Sequence, residues 1–443
     1  MPAGILVRRG ADIPSDAMPG RLGVFQRAML SWNETHPYNA VHVALVPARL
    51  EPARLEALAN ELIGLTGLTG LVLDRRRRRF FCKGGPARIG LRVLAGGHPA
   101  AALQAEIQSQ INSPFHTDEA FTPFRLFAVP AGDAFYVGLV YCHFISDANP
   151  IAAILCSIAA AYRDRRNVEI AVAACNDTRR SLLPLILKRA LRFAVSAPGF
   201  VRRLSHAIKP RYSVQLGHAN GFAFFKMPAE EFGAVGRAAH RWGVTVNDVF
   251  LAALLKAVAP HAAARQKGRR RLIAVSSIAS IRKDLPADAA RKLAPFLGTF
   301  TVFHPLPSGE ALEMVARAVH LQTSPIKQNR LYLRTLVELA VADFVMRCAS
   351  ERWREKFYRQ NYPIWGGVAS LNLDALSCGD SGPVSGYLRA VSTGPVCPLV
   401  VSATTYGGAL QVGISYRRAV YSSEAAEGVV SGFRHCLAES ALY

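Results

Sequence analysis

Val137-Gly138-Leu139-Val140-Tyr141-Cys142-His143-Phe144-Ile145-Ser146-Asp147-Ala148-Asn149-Pro150 is the stretch from which the rest of the chain can be read. The apolar run Ala134 to Cys142 has the length and composition of a strand. Pro150 to Tyr162 reads as a helix with its proline near the first turn, where no backbone N–H is missed. His143 therefore stands where a rigid strand hands over to a helix, an address that exposes a side chain to a cleft. Imidazole is the side chain best suited to take a proton near neutral pH, and an aspartate four residues on can orient the loop. A His-x-x-x-Asp spacing is a weak signal alone, because a satisfied buried histidine has the same address.

The pattern outward from this point mixes strands and helices. Val41 to Pro47 alternates as a strand, and Glu51 to Ile63 has helical spacing at Leu55, Leu58 and Leu62. Ala100 to Ile111 is a predicted helix, and Phe124 to Val129 a strand joined to Ala134–Cys142 by the turn Pro130-Ala131-Gly132-Asp133. Further on, Thr245 with Asp248 makes a capping-box pattern opening a helix with Val249, Phe250, Ala253 and Leu254 on its apolar face. Arg271 to Ser277, Thr299 to Phe303 and Gly366 to Leu373 read as strands. Leu399 to Tyr406 and Leu410 to Tyr416 flank Gly407-Gly408, a strong hairpin signal. Ser423 to Ala441 closes the chain as a helix.

A chain of 443 residues suits two core-bearing units of about 200 residues each. Apolar residues make up 51% and charged residues 19%, which excludes a disordered chain. The net charge of +22 favours an anionic partner: an anionic membrane surface, coenzyme A, an acidic carrier protein or nucleic acid. Nucleic acid is disfavoured, since zinc spacings, RNP-type aromatics and a helix-turn-helix signature are lacking. A solubilising role for the charge is the plain alternative.

The charge is clustered. Arg75 to Arg79 are five consecutive arginines, and Arg179 to Arg211 holds nine Lys or Arg and no Asp or Glu, interleaved with apolar residues. This second segment reads as a crossover between halves. It is either an interfacial element or a solvated linker with its apolar residues packed on the body; docking on anionic lipid would put Leu182, Leu185, Ile186 and Phe193 on an exposed face, whereas docking on an acidic carrier protein would bury them beside an arginine patch close to a tunnel mouth.

None of the eight cysteines forms a CxxC pair, so neither a zinc ribbon nor a redox motif is suggested and no metal is expected. Apolar contexts such as Ile154-Leu155-Cys156 suggest buried free thiols, hence a reducing compartment and a cytoplasmic protein, at most peripheral at the inner membrane face. The N-terminus lacks a signal-peptide core, and no apolar run reaches the roughly 18 residues that span a bilayer. Cys378-Gly379-Asp380-Ser381-Gly382-Pro383 resembles the serine loop of trypsin-like proteases, but no His or Asp in matching context precedes it, and it reads as a turn-rich loop.

Four features in order resemble the chloramphenicol-acetyltransferase-like superfamily, in particular its condensation, wax-ester-synthase and polyketide-associated acyltransferase families. Asn112-Ser113-Pro114-Phe115 through Pro123-Phe124-Arg125-Leu126 looks like their lead-in to the catalytic strand. His143 and Asp147 match their His-His-x-x-x-Asp-Gly motif, with Cys142 in place of its first histidine and Ala148 in place of its glycine. Val244-Thr245-Val246-Asn247-Asp248-Val249-Phe250-Leu251-Ala252-Ala253 is similar to their helix after the linker, and Pro398-Leu399 to Tyr416 to their closing hairpin.

The resemblance implies an α/β (α+β mixed) fold of two chloramphenicol-acetyltransferase-like subdomains with mixed sheets and a central tunnel. Residues 1–178 would form the first subdomain, 179–212 a basic crossover and 213–443 the second. It implies His143 as general base, Asp147 held by Arg282 from the other half, and substrate-tunnel positions near Ser370, Asn372 and Thr405. Arg282 could instead pair with Asp284 on the surface. The implied activity is transfer of an acyl group from a thioester, acyl-CoA or a phosphopantetheinyl acyl carrier, to a hydroxyl or amine of a lipid or secondary metabolite, with no bound cofactor. A free-standing condensation enzyme forming an amide bond, or a non-catalytic binding relative, are the alternatives.

Overall fold

The computed structural model describes residues 18–94, 97–164, 177–213, 217, 219–307, 309–348, 363–374 and 382–440. The protease-like loop at Cys378–Ser381 falls outside these. The strands in chain order are β1 (Met18–Arg21), β2 (Asn39–Val46), β3 (Leu71–Asp74), β4 (Arg79–Cys82), β5 (Leu91–Val93), β6 (Phe124–Ala131) and β7 (Ala134–Cys142) in the first part. The second part has β8 (Asn220–Met227), β9 (Leu272–Ser280), β10 (Leu297–Pro305), β11 (Ile364–Asn372), β12 (Gly386–Val391), β13 (Leu399–Tyr406) and β14 (Ala409–Arg417).

Two mixed sheets carry the fold. One has five strands in the order β12-β2-β7-β6-β5, parallel only between β6 and β5. The other has six, β10-β9-β11-β13-β14-β8, with β11 parallel to both its neighbours. The small sheet β1-β4-β3 holds the arginine run at the β3–β4 turn, where Arg75, Arg76 and Arg77 are exposed. The result is a mixed α/β fold of two subdomains.

Local sequence explains the main elements. β7 is buried along most of its length, so it reads as a continuous apolar run rather than an alternating one. Thr245 accepts a hydrogen bond from the Asp248 N–H, while the Asp248 carboxylate accepts from the Thr245 N–H at 2.9 Å, so the capping box forms. Asp248 is fully buried and also meets His320, Thr323 and Lys327. The helix it opens, Val246–Ala263, has the length and hydropathy of a membrane span but is mostly buried inside the body. The Gly407-Gly408 hairpin joins β13 to β14, both glycines having positive φ.

Sequence patterning missed β12. It lies between β11 and β13 in the chain, yet pairs antiparallel with β2, so a strand from the second part completes the first sheet. Buried Arg389 on β12 ties the sheets together: its Nε donates to Thr404 Oγ1 at 2.8 Å, and Nη2 to the carbonyls of Ala369 and Ala403. The approach is close enough that a Cβ on Gly413 would stand 2.1 Å from the Arg389 carbonyl oxygen.

The basic segment is helical, as Arg179–Leu187 and Ala190–His206. Leu182 and Phe193 are buried, and Leu185 and Ile186 pack partly buried against the core. The four apolar residues that the sequence offers for an exposed face thus turn inward. Among the described cysteines, Cys82, Cys142, Cys156 and Cys436 are buried, Cys397 is half-buried, and none of these five is in a disulfide.

Candidate functional site

β7 ends at Cys142, and His143 opens a single 3-10 turn, His143–Ile145, before the helix Ala148–Asp164. The His143 backbone N–H donates to the Tyr38 carbonyl at 3.1 Å, pinning the turn to the start of β2. His143 Nδ1 lies 3.1 Å from the Ser146 carbonyl oxygen. A carbonyl can only accept, so Nδ1 carries the proton and Nε2 is the basic nitrogen. The ring stacks on Tyr38 at a centroid distance of 5.4 Å and meets the edge of Tyr141 at 5.7 Å.

Burial holds the His143 pKa down to about 4; the hydrogen bond to Ser146 opposes this and buried Arg389 reinforces it. The imidazole is neutral at physiological pH. Beneath it lies a polar layer that the sequence reading did not pick out. His42 Nδ1 is 2.7 Å from the Tyr387 hydroxyl, and the Tyr141 hydroxyl is 3.5 Å from His42 Nε2. Burial, then Arg389, lowers the His42 pKa well below its ordinary value, so it too is neutral. The one available signal was a histidine interrupting the apolar run Val41 to Val46.

Asp147 does not touch His143. It caps the helix, accepting from the Asn149 N–H at 3.2 Å, and accepts from the Phe296 N–H at 3.0 Å. Arg282 Nε lies 3.0 Å from both carboxylate oxygens. Arg282 in turn donates to the carbonyls of Lys292 and Ala294. Burial raises the Asp147 pKa, and Arg282 and the two backbone N–H groups oppose the rise. Asp284 is taken instead by Arg330 at 3.0 Å and by the Tyr332 hydroxyl at 2.7 Å.

His143 lies in the wall of a cavity of about 970 Å³ between the two subdomains. That is near the upper end for small-molecule sites, which run to roughly 1,000 Å³. Met29, Trp32 and Tyr38 line it from the first part, and Ile278, Thr299 and Gly367 from the second. The helix Ala190–His206 closes one side with Phe193, Ala197, Phe200 and Leu204. The segment read from sequence as a crossover is therefore also a wall of the cavity.

Ser370, Asn372 and Thr405 are not among the residues lining it. The register explains why: Gly367 pairs with Val400, both on the cavity side, whereas Ser370 pairs with Ala403 and Asn372 with Thr405, one residue out of phase. Their side chains leave the opposite face, and Ser370 Oγ donates to Asn247 of the helix Val246–Ala263 at 2.8 Å. Cys142 is buried and its thiol is pushed up to about 12, so it supplies no base at neutral pH.

No protein-family model matches the sequence, and no curated protein is significantly similar to it. Solved structures are similar over nearly the whole chain. The first condensation domain of the CDA synthetase aligns at a TM-score of 0.68 and 17% identity, covering 96% of this chain and 97% of that one. The chain has the chloramphenicol-acetyltransferase-like fold. The epimerization domain from the third module of tyrocidine synthetase B shares this fold at a TM-score of 0.63 and 13% identity, covering 98% of each chain. So does the condensation domain from the Monacolin K polyketide synthase, at 0.61 and 11%, covering 97% of this chain and 98% of that one. In this condensation-domain-like fold the His143 turn, the Asp147–Arg282 pair and the cavity all sit where the two subdomains meet.

Proposed function

We propose that this chain is an acyltransferase with His143 as general base and an acyl thioester as donor. Nε2 takes the proton of an acceptor hydroxyl or amine. The acceptor oxygen or nitrogen attacks the thioester carbonyl, the C–S bond breaks, and the leaving thiolate takes the proton back from His143 Nε2, which regenerates the neutral imidazole. The observation that carries this reading is a neutral imidazole with Nδ1 committed to Ser146, set in the wall of a largely apolar cavity. The condensation-domain-like fold supports it, because such domains join thioester-bound substrates. The donor is then coenzyme A or a phosphopantetheinyl carrier, and the lining suits an aliphatic acyl chain.

Asp147 and Arg282 would serve this chemistry indirectly, by fixing the turn that presents His143. The test is mass spectrometry of products from a panel of coenzyme A and carrier-bound acyl donors offered with lipid alcohols and amines. An ester product identifies an alcohol acceptor, and an amide identifies a condensation enzyme. His143→Ala should lower the rate by roughly 100- to 10,000-fold with the melting temperature kept. Transfer by that variant within a few-fold of wild type would refute the assignment and favour a binding protein.

A further inference from the structure

The helices Arg179–Leu187 and Ala190–His206 are apolar on two sides. While Phe193 and its neighbours face the cavity, Leu183, Leu187, Leu191, Val195 and Val201 are between 55% and 78% exposed. The helix Arg334–Cys348 packs beside them and exposes Val341 and Phe344 at 58% and 66%. Single exposed apolar residues are ordinary on a protein surface, but this many on neighbouring helices are not.

Two further observations say what covers them. Lys188, Arg192, Arg202 and Arg203 are exposed on the same helices, and residues 178–229 contain no Asp or Glu. Cations interleaved with exposed aliphatic residues are the pattern of a helix lying in the interface of an anionic bilayer. In addition, Ala190, Ala194, Val201, Val341 and Val345 both line the cavity and reach solvent, so the cavity opens through this face by a largely apolar mouth, where the only charged lining residues among those described, Arg334 and Glu338, pair with each other at 2.7 Å.

We propose that this face docks on an anionic lipid bilayer and that the cavity opens into it, admitting an aliphatic chain directly from the membrane. The docking rests on exposure and charge. The use of the admitted lipid as acyl acceptor or donor rests on the acyl-transfer reading above.

The experiment is flotation of the full chain with phosphatidylcholine vesicles, with and without phosphatidylserine, at low and high salt. Binding is expected with phosphatidylserine and should weaken as salt screens the cations. Each cation near an anionic surface strengthens binding about five-fold (about 1 kcal/mol), so R192E/R202E/R203E should lower partitioning by about a hundredfold or more. L191E/V195E should also abolish flotation with the melting temperature unchanged, since both residues are exposed. The proposal is overturned if anionic vesicles are not bound at any salt, or if L191E/V195E floats like wild type. It is equally overturned if the chain forms dimers that L191E/V195E dissolves while vesicles go unbound, or binds an acidic carrier protein in place of vesicles. Since the readout is binding, it stands or falls separately from the assigned chemistry.

Discussion

Arg282 Nε donates to both carboxylate oxygens of Asp147 at 3.0 Å, joining the β7 turn of one subdomain to the end of β9 in the other. Both side chains are buried, Arg282 at 7% exposure and Asp147 at 2%. A carboxylate so placed has lost its water, and four N–H contacts, two from one guanidinium nitrogen and two from the backbone, replace it.

Breaking that pair has a definite cost. Asp147→Asn removes a charged partner from the buried Arg282 guanidinium, which costs on the order of 3–5 kcal/mol. Thermal unfolding should show a drop of several degrees, in contrast to His143→Ala. The double substitution D147N/R282M removes both charges and should recover part of the lost stability. A single variant as stable as wild type would show that the pair does not hold the subdomains together.

The pH dependence has a sign. Only neutral His143 can accept a proton, and its pKa of about 4 lies below the ordinary histidine value. The acid limb of the kcat/KM profile for transfer should therefore fall near pH 4, not near the ordinary value of about 6.5. Between these two values the unfolded chain binds the proton that the folded site refuses, so the His143 contribution to stability declines as pH falls through this window. A pH–rate profile alongside denaturant melts checks both statements.

The cavity should set acyl-chain length. Ala197→Trp places a large ring in the wall formed by the helix Ala190–His206. Long-chain donors should lose kcat/KM relative to short-chain donors, by roughly 10- to 200-fold for the displaced methylenes. Equal losses for all chain lengths would mean that the chain does not lie along this wall.

Gly413 tests the contact between the sheets. A Cβ there would overlap the Arg389 carbonyl oxygen, so Gly413→Ala must push β12 away from β14. Overpacking of this kind costs about 1–3 kcal/mol and should lower the melting temperature, which denaturant and thermal melts check.

Much of this protein was legible in the chain alone. The run ending in Cys142, the Thr245–Asp248 capping box and the Gly407-Gly408 hairpin are local patterns, set by side-chain type and by two or three neighbouring residues. Such features survive without tertiary knowledge because hydrogen bonds within a turn or a strand's own periodicity decide them. The tertiary structure decided what depends on register and distant packing. A one-residue phase along β11 and β13 turned Ser370, Asn372 and Thr405 away from the cavity, since a strand alternates its faces at every residue. The transfer of β12 to the first sheet, the polar layer of His42, Tyr387 and Arg389 beneath His143, and the inward turn of Leu182 and Phe193 all join residues far apart in sequence. Sequence specified which residues could form a site; the packing of one subdomain on the other selected which of them face the same cavity, because burial and charge pairing are properties of three-dimensional neighbours.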